Sequence, residues 1–285
     1  MRVDLVKAAT ADGIRLDGIL QRAAEPRFDF AAICLHGAGS NFYAGGLFEE
    51  LTPPLLDAGV SVLRVNTRGR DGYYIGRSAI GLRRLGAAYE TVSDGTLDIA
   101  AWLDRLEDEH FSRAVLVGHS LGAIKAVYAQ AVKPDPRVVG IVAISPPRLS
   151  RSAFQWGPKS AEFGDLLREA QQLVEQGRPQ AVLESTFPFP MLITAEAFLD
   201  KYGGETYNVV ELSRQLAVPT TFVFGQRELE QGGVAFAGLD EAIRAAAGPE
   251  QSITVQVVKR ADHFYIGCYE ALADKVLAAL NGMRG

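Results

Sequence analysis

Near the middle of the chain, Gly118-His119-Ser120-Leu121-Gly122 sets a serine between two glycines in a G-x-S-x-G pattern. With 29 glycines in 285 residues, such a match has little weight by itself. Its surroundings give it meaning: "RAVLV" before it reads as a buried strand, and "LGAIKAVYAQA" after it as a helix. A strand-to-helix turn that tight leaves room only for glycine beside the serine. It exposes the hydroxyl at the strand's end, over the positive end of the following helix. The plainer reading is a serine that caps a helix. A serine hydroxyl is a weak nucleophile and needs a base within hydrogen-bond reach, which directs attention to the four histidines, His36, His110, His119 and His263.

The elements that must position these groups follow from hydrophobic patterning. "RVDLVKA" and "IRLDGILQ" alternate apolar and polar residues about a turn at Asp12–Gly13, as a hairpin does. "FAAICL", "RAVLVG", "RVVGIVAIS" and "PTTFVFG" are continuous apolar runs that suit central parallel strands covered on both faces. "VSVLRVN" and "SITVQVV" add two strands. Helical patterns separate them: "LFEELTPPLLDAG", expected to kink at Pro53–Pro54, "AYETVSDGTLDIAAWLDRLEDE", "LDEAIRAAAG" and "YEALADKVLAALNG". This alternation predicts an α/β protein with a doubly wound, mostly parallel sheet of about eight strands. Residues 146–217 break the rhythm, with helical patterns and no good strand. They are expected to form a helical insertion, or cap, on a core of residues 1–145 and 218–285.

The strand order, the His36-Gly37 turn and the Gly118–Gly122 elbow together resemble the α/β-hydrolase fold superfamily of serine esterases and lipases. The resemblance implies a serine hydrolase that cleaves a carboxylic ester through an acyl-enzyme, without a cofactor or metal. The same machinery serves amide, thioester and carbon–carbon hydrolysis, or a lyase or perhydrolase reaction, and the fold also serves as a ligand-binding module.

The superfamily carries its catalytic histidine after the last strand, and "ADHFYIG" puts His263 there. His119 diverges from Ser120 inside the elbow, His110 lies in a charged loop, and His36 ends the third strand. The resemblance also implies oxyanion donors, the backbone N–H groups of Leu121 and of a residue in "LHGAGSN". Ala38 is preferred there, with Gly39, Ser40 and Asn41 as competitors. The acid is implied by Gly-x-x-Asp after the insertion. Here the chain has Gly225-Gln226-Arg227-Glu228, a glutamate in register with the usual aspartate, and Glu230 two residues on as the alternative. An extended loop would point both glutamates the same way. Asp262, adjacent to His263, is not chosen.

The stretch "RVNTRGRDGYYIGRSAIGLRR" corresponds to the family's Asp-x-Arg-Gly loop with Asn66 in the aspartate's place. A structural ion pair at Arg68, with the other arginines solvated, is the preferred reading. The alternative has Arg70 or Arg77, with Tyr73 and Tyr74, binding a substrate carboxylate. In the insertion, Phe154, Trp156, Phe187, Phe189 and Met191 either roof the serine or pack the insertion down.

Composition excludes some classes. A net charge of −5 leaves no footprint for nucleic acid. Cys34 and Cys268 do not make a disulfide framework or a metal site. No apolar run reaches the ~18 residues of a membrane span, and the first residues do not read as a signal peptide. The expectation is a cytoplasmic protein whose partner is a small ester-type molecule, its own oligomeric state illegible.

Overall fold

In the computed structural model, which describes residues 3–284, the strands that read as continuously apolar lie at the centre of one sheet. The elements in chain order are β1 (Asp4–Ala9), β2 (Arg15–Gln21), β3 (Ala31–Leu35), α1 (Leu47–Asp57) and β4 (Ser61–Val65). Then come β5 (Tyr74–Ser78), β6 (Gly81–Leu85), α2 (Gly95–Asp108), β7 (Ala114–His119), α3 (Leu121–Val132) and β8 (Val138–Ile144). The insertion holds α4 (Arg151–Phe154), α5 (Ser160–Glu175), β9 (Val182–Ser185), β10 (Met191–Thr194), α6 (Ala195–Tyr202) and α7 (Val209–Ser213). The chain closes with β11 (Thr220–Gly225), α8 (Gln226–Gln231), α9 (Leu239–Ala246), β12 (Ile253–Val258) and α10 (Tyr269–Asn281).

Eight strands form the main sheet in the order β1-β2-β4-β3-β7-β8-β11-β12. β2 runs antiparallel to both neighbours, and from β4 onward every pair is parallel. Adjacent residues of a strand therefore face opposite layers, and both layers are apolar. Ile33 and Leu35 join Leu116, Ala143, Trp102 and Ile124 on one side. Ala32 and Cys34 join Val117, Val142 and Val223 against α1 and α10 on the other. That two-sided burial is why these strands read as unbroken apolar runs rather than alternating ones. The register aligns their C-terminal ends, with Leu35 opposite Gly118 and Gly118 opposite Ala143, so the loops after β3, β7, β8, β11 and β12 emerge along one edge.

Four local expectations need correction. α1 is continuous through Pro53 and Pro54. The carbonyls those prolines cannot serve belong to Glu49 and Glu50, exposed residues at the helix start, where water takes the place of the missing donor. α2 begins at Gly95, seven residues after Ala88, because residues 88–94 are drawn into contacts described below. The insertion is not purely helical: β9 and β10 pair as a hairpin. A second hairpin, β5–β6, stands in the arginine-rich stretch. Both are built of strands of only four or five residues that are partly or mostly exposed, so they lack the continuous apolar signal of a core strand. Within the insertion, the rings of Phe154, Phe163, Phe187, Phe198 and Tyr202 stack into one aromatic cluster. α7 packs against α3 and α9.

Candidate active site

The turn from β7 into α3 places Ser120 at φ 54°, ψ −121°, a conformation that costs a non-glycine residue strain. Its flanks show why glycine is required. A Cβ on Gly122 would lie 2.1 Å from the Leu35 carbonyl oxygen, and one on Gly118 would lie 2.4 Å from the Gly122 carbonyl oxygen. The loop after β3 also comes near, though less tightly, since a Cβ on Gly37 would sit 3.2 Å from that of Ser120.

Three residues from separate loops meet at the sheet edge. Ser120 Oγ lies 3.1 Å from His263 Nε2. His263 Nδ1 lies 2.8 Å from Glu228 Oε2. The other oxygen of Glu228 accepts the Gly225 N–H at 2.7 Å and the Ser145 hydroxyl at 2.5 Å. Glu228 is buried, and three donors converge on its carboxylate, which fixes its plane. Residues 226–231 are helical rather than extended, and this corrects the expectation that Glu228 and Glu230 share a face. Glu228 is the third residue of α8 and reaches back to the N–H that precedes the helix, as capping glutamates do. Glu230 is turned to solvent and accepts a bond from the Gln226 side chain at 2.9 Å. Asp262 instead accepts the Phe264 N–H.

Three supports of this constellation escaped the sequence reading. Ser145 directly follows β8 at φ 49°, fully buried, with its hydroxyl 2.8 Å from that of Tyr265. His119 Nε2–H donates to the His263 carbonyl at 2.8 Å and so holds the backbone of the histidine loop. The Phe236 ring lies 5.2 Å from the His263 ring. A histidine next to the serine was the one available signal. Its partner is 144 residues away, and local pattern cannot reveal it.

The N–H groups of Leu121 and Ala38 make no hydrogen bond to a protein acceptor among the described residues, and both residues line the cavity beside Ser120. The Gly37–Ala38 peptide is held by His36, whose Nδ1–H donates to the Gly37 carbonyl at 2.8 Å while Nε2 accepts the Thr67 N–H at 3.1 Å. Since the C=O and N–H of a trans peptide point opposite ways, pinning the Gly37 oxygen also aims the Ala38 N–H. Asn41 is engaged elsewhere, on Asp71 and on the N–H groups of Tyr43 and Ala44.

Burial, reinforced by the charge of Lys125, lowers the His36 pKa from 6.5 to about 4. Burial, then the neighbouring His263, lowers that of His119 to about 3. Both imidazoles are thus neutral in the fold while those of the unfolded chain take up protons below about pH 6.5. The unfolded state binds more protons in that interval, so stability falls as pH drops from 6.5 toward the folded values and levels off below them. For His36 the separation amounts to about 3 kcal/mol. Urea-unfolding free energies measured from about pH 7.5 to 4 should therefore decline, and His36→Gln should flatten part of the decline. Parallel profiles for the two proteins would refute a neutral, buried His36.

The remaining sequence-predicted residues separate into two groups. Tyr73 lines the cavity, as do Phe154, Phe189 and Met191. Arg70, Arg77, Tyr74 and Trp156 do not line it. Arg70 lies over the Tyr74 ring at 3.9 Å and bonds Asp71, so its guanidinium is already engaged. Arg77 is exposed on the β5–β6 hairpin, and Trp156 is 89% exposed. Phe187 is buried in the aromatic cluster. Arg68 is a buried ion-pair centre, bonded to Asp98 at 2.9 Å and Asp12 at 3.0 Å. Asn66 serves the loop through its side-chain oxygen, which accepts the Phe42 N–H at 3.0 Å.

The cavity has a volume of about 1220 Å³ and reaches from Ser120 and His263 under the insertion. Among the described residues no cluster of His, Cys, Asp and Glu is arranged to hold a metal ion, and no helix is long and apolar enough to cross a membrane.

An eight-stranded sheet with one antiparallel strand, and a strained serine at the turn into α3, define a class that the comparisons name. Residues 32–275 match the model of the Alpha/beta hydrolase family, and the chain belongs to that family. No curated protein matches it significantly. Among solved structures it is similar to GrgF, an alpha/beta hydrolase from Penicillium sp., with a TM-score of 0.72 and 13% identity over 100% of this chain and 99% of that one. It is also similar to Est1E from Butyrivibrio proteoclasticus, solved with ferulic acid bound, with a TM-score of 0.67 and 16% identity over 98% of this chain and 97% of that one. An esterase from Pyrococcus furiosus gives a TM-score of 0.65 and 18% identity over 100% of this chain and 92% of that one. At these identities the likeness is one of fold.

Proposed function

We propose that this alpha/beta hydrolase cleaves a carboxylic ester through a Ser120-His263-Glu228 triad. One observation carries the reading: an unbroken hydrogen-bonded line, Ser120 Oγ to His263 Nε2 and His263 Nδ1 to Glu228, at the wall of a large, mostly apolar cavity. Ser120 Oγ attacks the ester carbonyl carbon while His263 Nε2 takes its proton. The carbonyl oxygen becomes an oxyanion held by the Leu121 and Ala38 N–H groups. The tetrahedral intermediate collapses with cleavage of the bond to the alcohol oxygen, which leaves with the proton from His263. Water, deprotonated by the same imidazole, attacks the acyl-serine, and a carboxylic acid departs. Ester and water become acid and alcohol, and the enzyme is restored. Glu228 accepts the Nδ1–H throughout, holding the tautomer that presents a basic Nε2 to the serine. An esterase and a carboxylesterase among the structures of similar fold support the choice of an ester over other acyl substrates.

The test combines a fluorophosphonate probe with a chain-length series of p-nitrophenyl esters. Stoichiometric labelling of Ser120, located by peptide mass spectrometry, together with turnover of at least one ester, is the expected result. Folded protein that neither labels nor turns over any ester would refute it.

A further inference from the structure

The cavity wall carries one lysine or arginine among the described residues, Lys201 of α6, and no carboxylate. Lys201 is buried, 4% exposed, and donates to the Ala87 carbonyl at 2.9 Å. The nearest carboxylate oxygen, Glu90 Oε1, is 3.5 Å away, while the other oxygen of Glu90 is bonded to Lys125 at 2.6 Å. Two buried ammonium groups thus share the Glu90 carboxylate, and the longer of the two contacts belongs to the member that borders the cavity. Asp200, next in sequence, is committed to the Val92 N–H and the Tyr207 hydroxyl and makes no ion pair with Lys201. Tyr202, also buried and also lining the cavity, has a hydroxyl with no hydrogen-bond partner among the described residues. Burial and the charge of Lys125 oppose the charge on Lys201, while Glu90 and Asp200 support it, with a net lowering of its pKa.

A buried cation with an incomplete counter-charge gains most from an anion that brings its own carboxylate into the same dry space. We propose that Lys201, with the Tyr202 hydroxyl as second donor, binds a carboxylate at the far end of the substrate, so that the enzyme takes monoanionic esters with an apolar body. The reaction in this statement rests on the ester-hydrolase reading above; the binding rests on the cavity alone. The site also replaces Arg70 and Arg77 as the source of carboxylate selectivity.

The experiment pairs monoethyl adipate with diethyl adipate, which differ by one carboxylate. Wild type should show a higher kcat/KM on the monoester, carried by KM. Lys201→Met should cut that preference by about tenfold or more, and Tyr202→Phe by less. Lys201→Arg should retain part of it. A parallel arm with butyrate esters of pentanol and of 5-hydroxypentanoate places the carboxylate on the alcohol side, and the Lys201-dependent preference must appear in one arm. No preference in wild type, or equal losses on charged and neutral esters in Lys201→Met, would overturn the proposal and leave Lys201 a structural tie. Calorimetric titration of Ser120→Ala with both adipates separates the two readings. Lys201-dependent binding of the monoester without turnover by wild type would sink hydrolysis and keep the carboxylate site; absence of any binding preference would sink the site itself.

Discussion

Ser120→Ala is expected to lower kcat on p-nitrophenyl esters by about 10⁶-fold, leaving a residue of roughly 10³–10⁴ over water. The substitution removes one atom and little else. Alanine keeps the Cβ, so the strained φ of 54° is neither relieved nor worsened. The only side-chain bond lost is the one to His263. The proposed oxyanion donors belong to the backbone and would remain, and they are expected to account for the residual rate. Circular dichroism and unfolding midpoints should match wild type. A variant that folds normally and keeps a tenth or more of the activity would mean that a different nucleophile does the work.

The second large effect is that of Glu228→Gln, expected to cost about 10⁴-fold in kcat, whereas Glu230→Gln should leave activity within about twofold. The reason lies in the three donors around Glu228. The Gly225 N–H and Ser145 hydroxyl both require an acceptor on one side, so a glutamine would direct its oxygen there. Its NH₂ would then face His263 Nδ1, which must give up its proton and become an acceptor. The imidazole proton moves to Nε2, where it confronts Ser120 and cannot take the serine's proton. Glu230, two residues on, is rotated by ~200° about α8 and faces water. Were the two variants ranked the other way, the acid would have been placed in the wrong register.

How far the sequence showed all this varied with the range of the interaction. β3, β7, β8 and β11 were legible because two-sided burial writes a continuous apolar run into a few residues. The elbow was legible for a related reason: glycines 118 and 122 are needed by contacts within about one turn of chain and one neighbouring strand. Glu228 was reached through the resemblance, whose Gly-x-x-Asp pattern falls on Gly225–Glu228, although its local structure was read as extended. Six residues after a glycine with Leu229 as their one apolar member give no helical period, and the helix is set by the carboxylate's return to the Gly225 N–H. Tertiary facts were out of reach. Lys201 lies in an amphipathic helix, where a lysine ordinarily signals a solvated face, and only the docking of α6 over Ala87 buries it. Arg70 and Arg77 carried the right charge for an anion site, but the β5–β6 hairpin and the Tyr74 ring hold them off the cavity. Trp156 looked like a roof residue because large aromatics are usually covered, and here it is not.

The edge position of β12 has a further consequence, for the order in which the site comes into being. The proposed nucleophile and base are 143 residues apart in the chain. β12 pairs with β11 alone and is the last strand in both sequence and space. During synthesis, which proceeds from the N-terminus at about 5–20 residues per second, Ser120 and the glycine loop emerge long before the His263 imidazole that the proposed mechanism uses to activate the hydroxyl. The acid follows, and the base arrives only when the final strand closes the sheet. On the proposed mechanism, reactivity is therefore withheld until nearly the whole chain has been laid down, and a truncated or misassembled molecule would carry an inert serine.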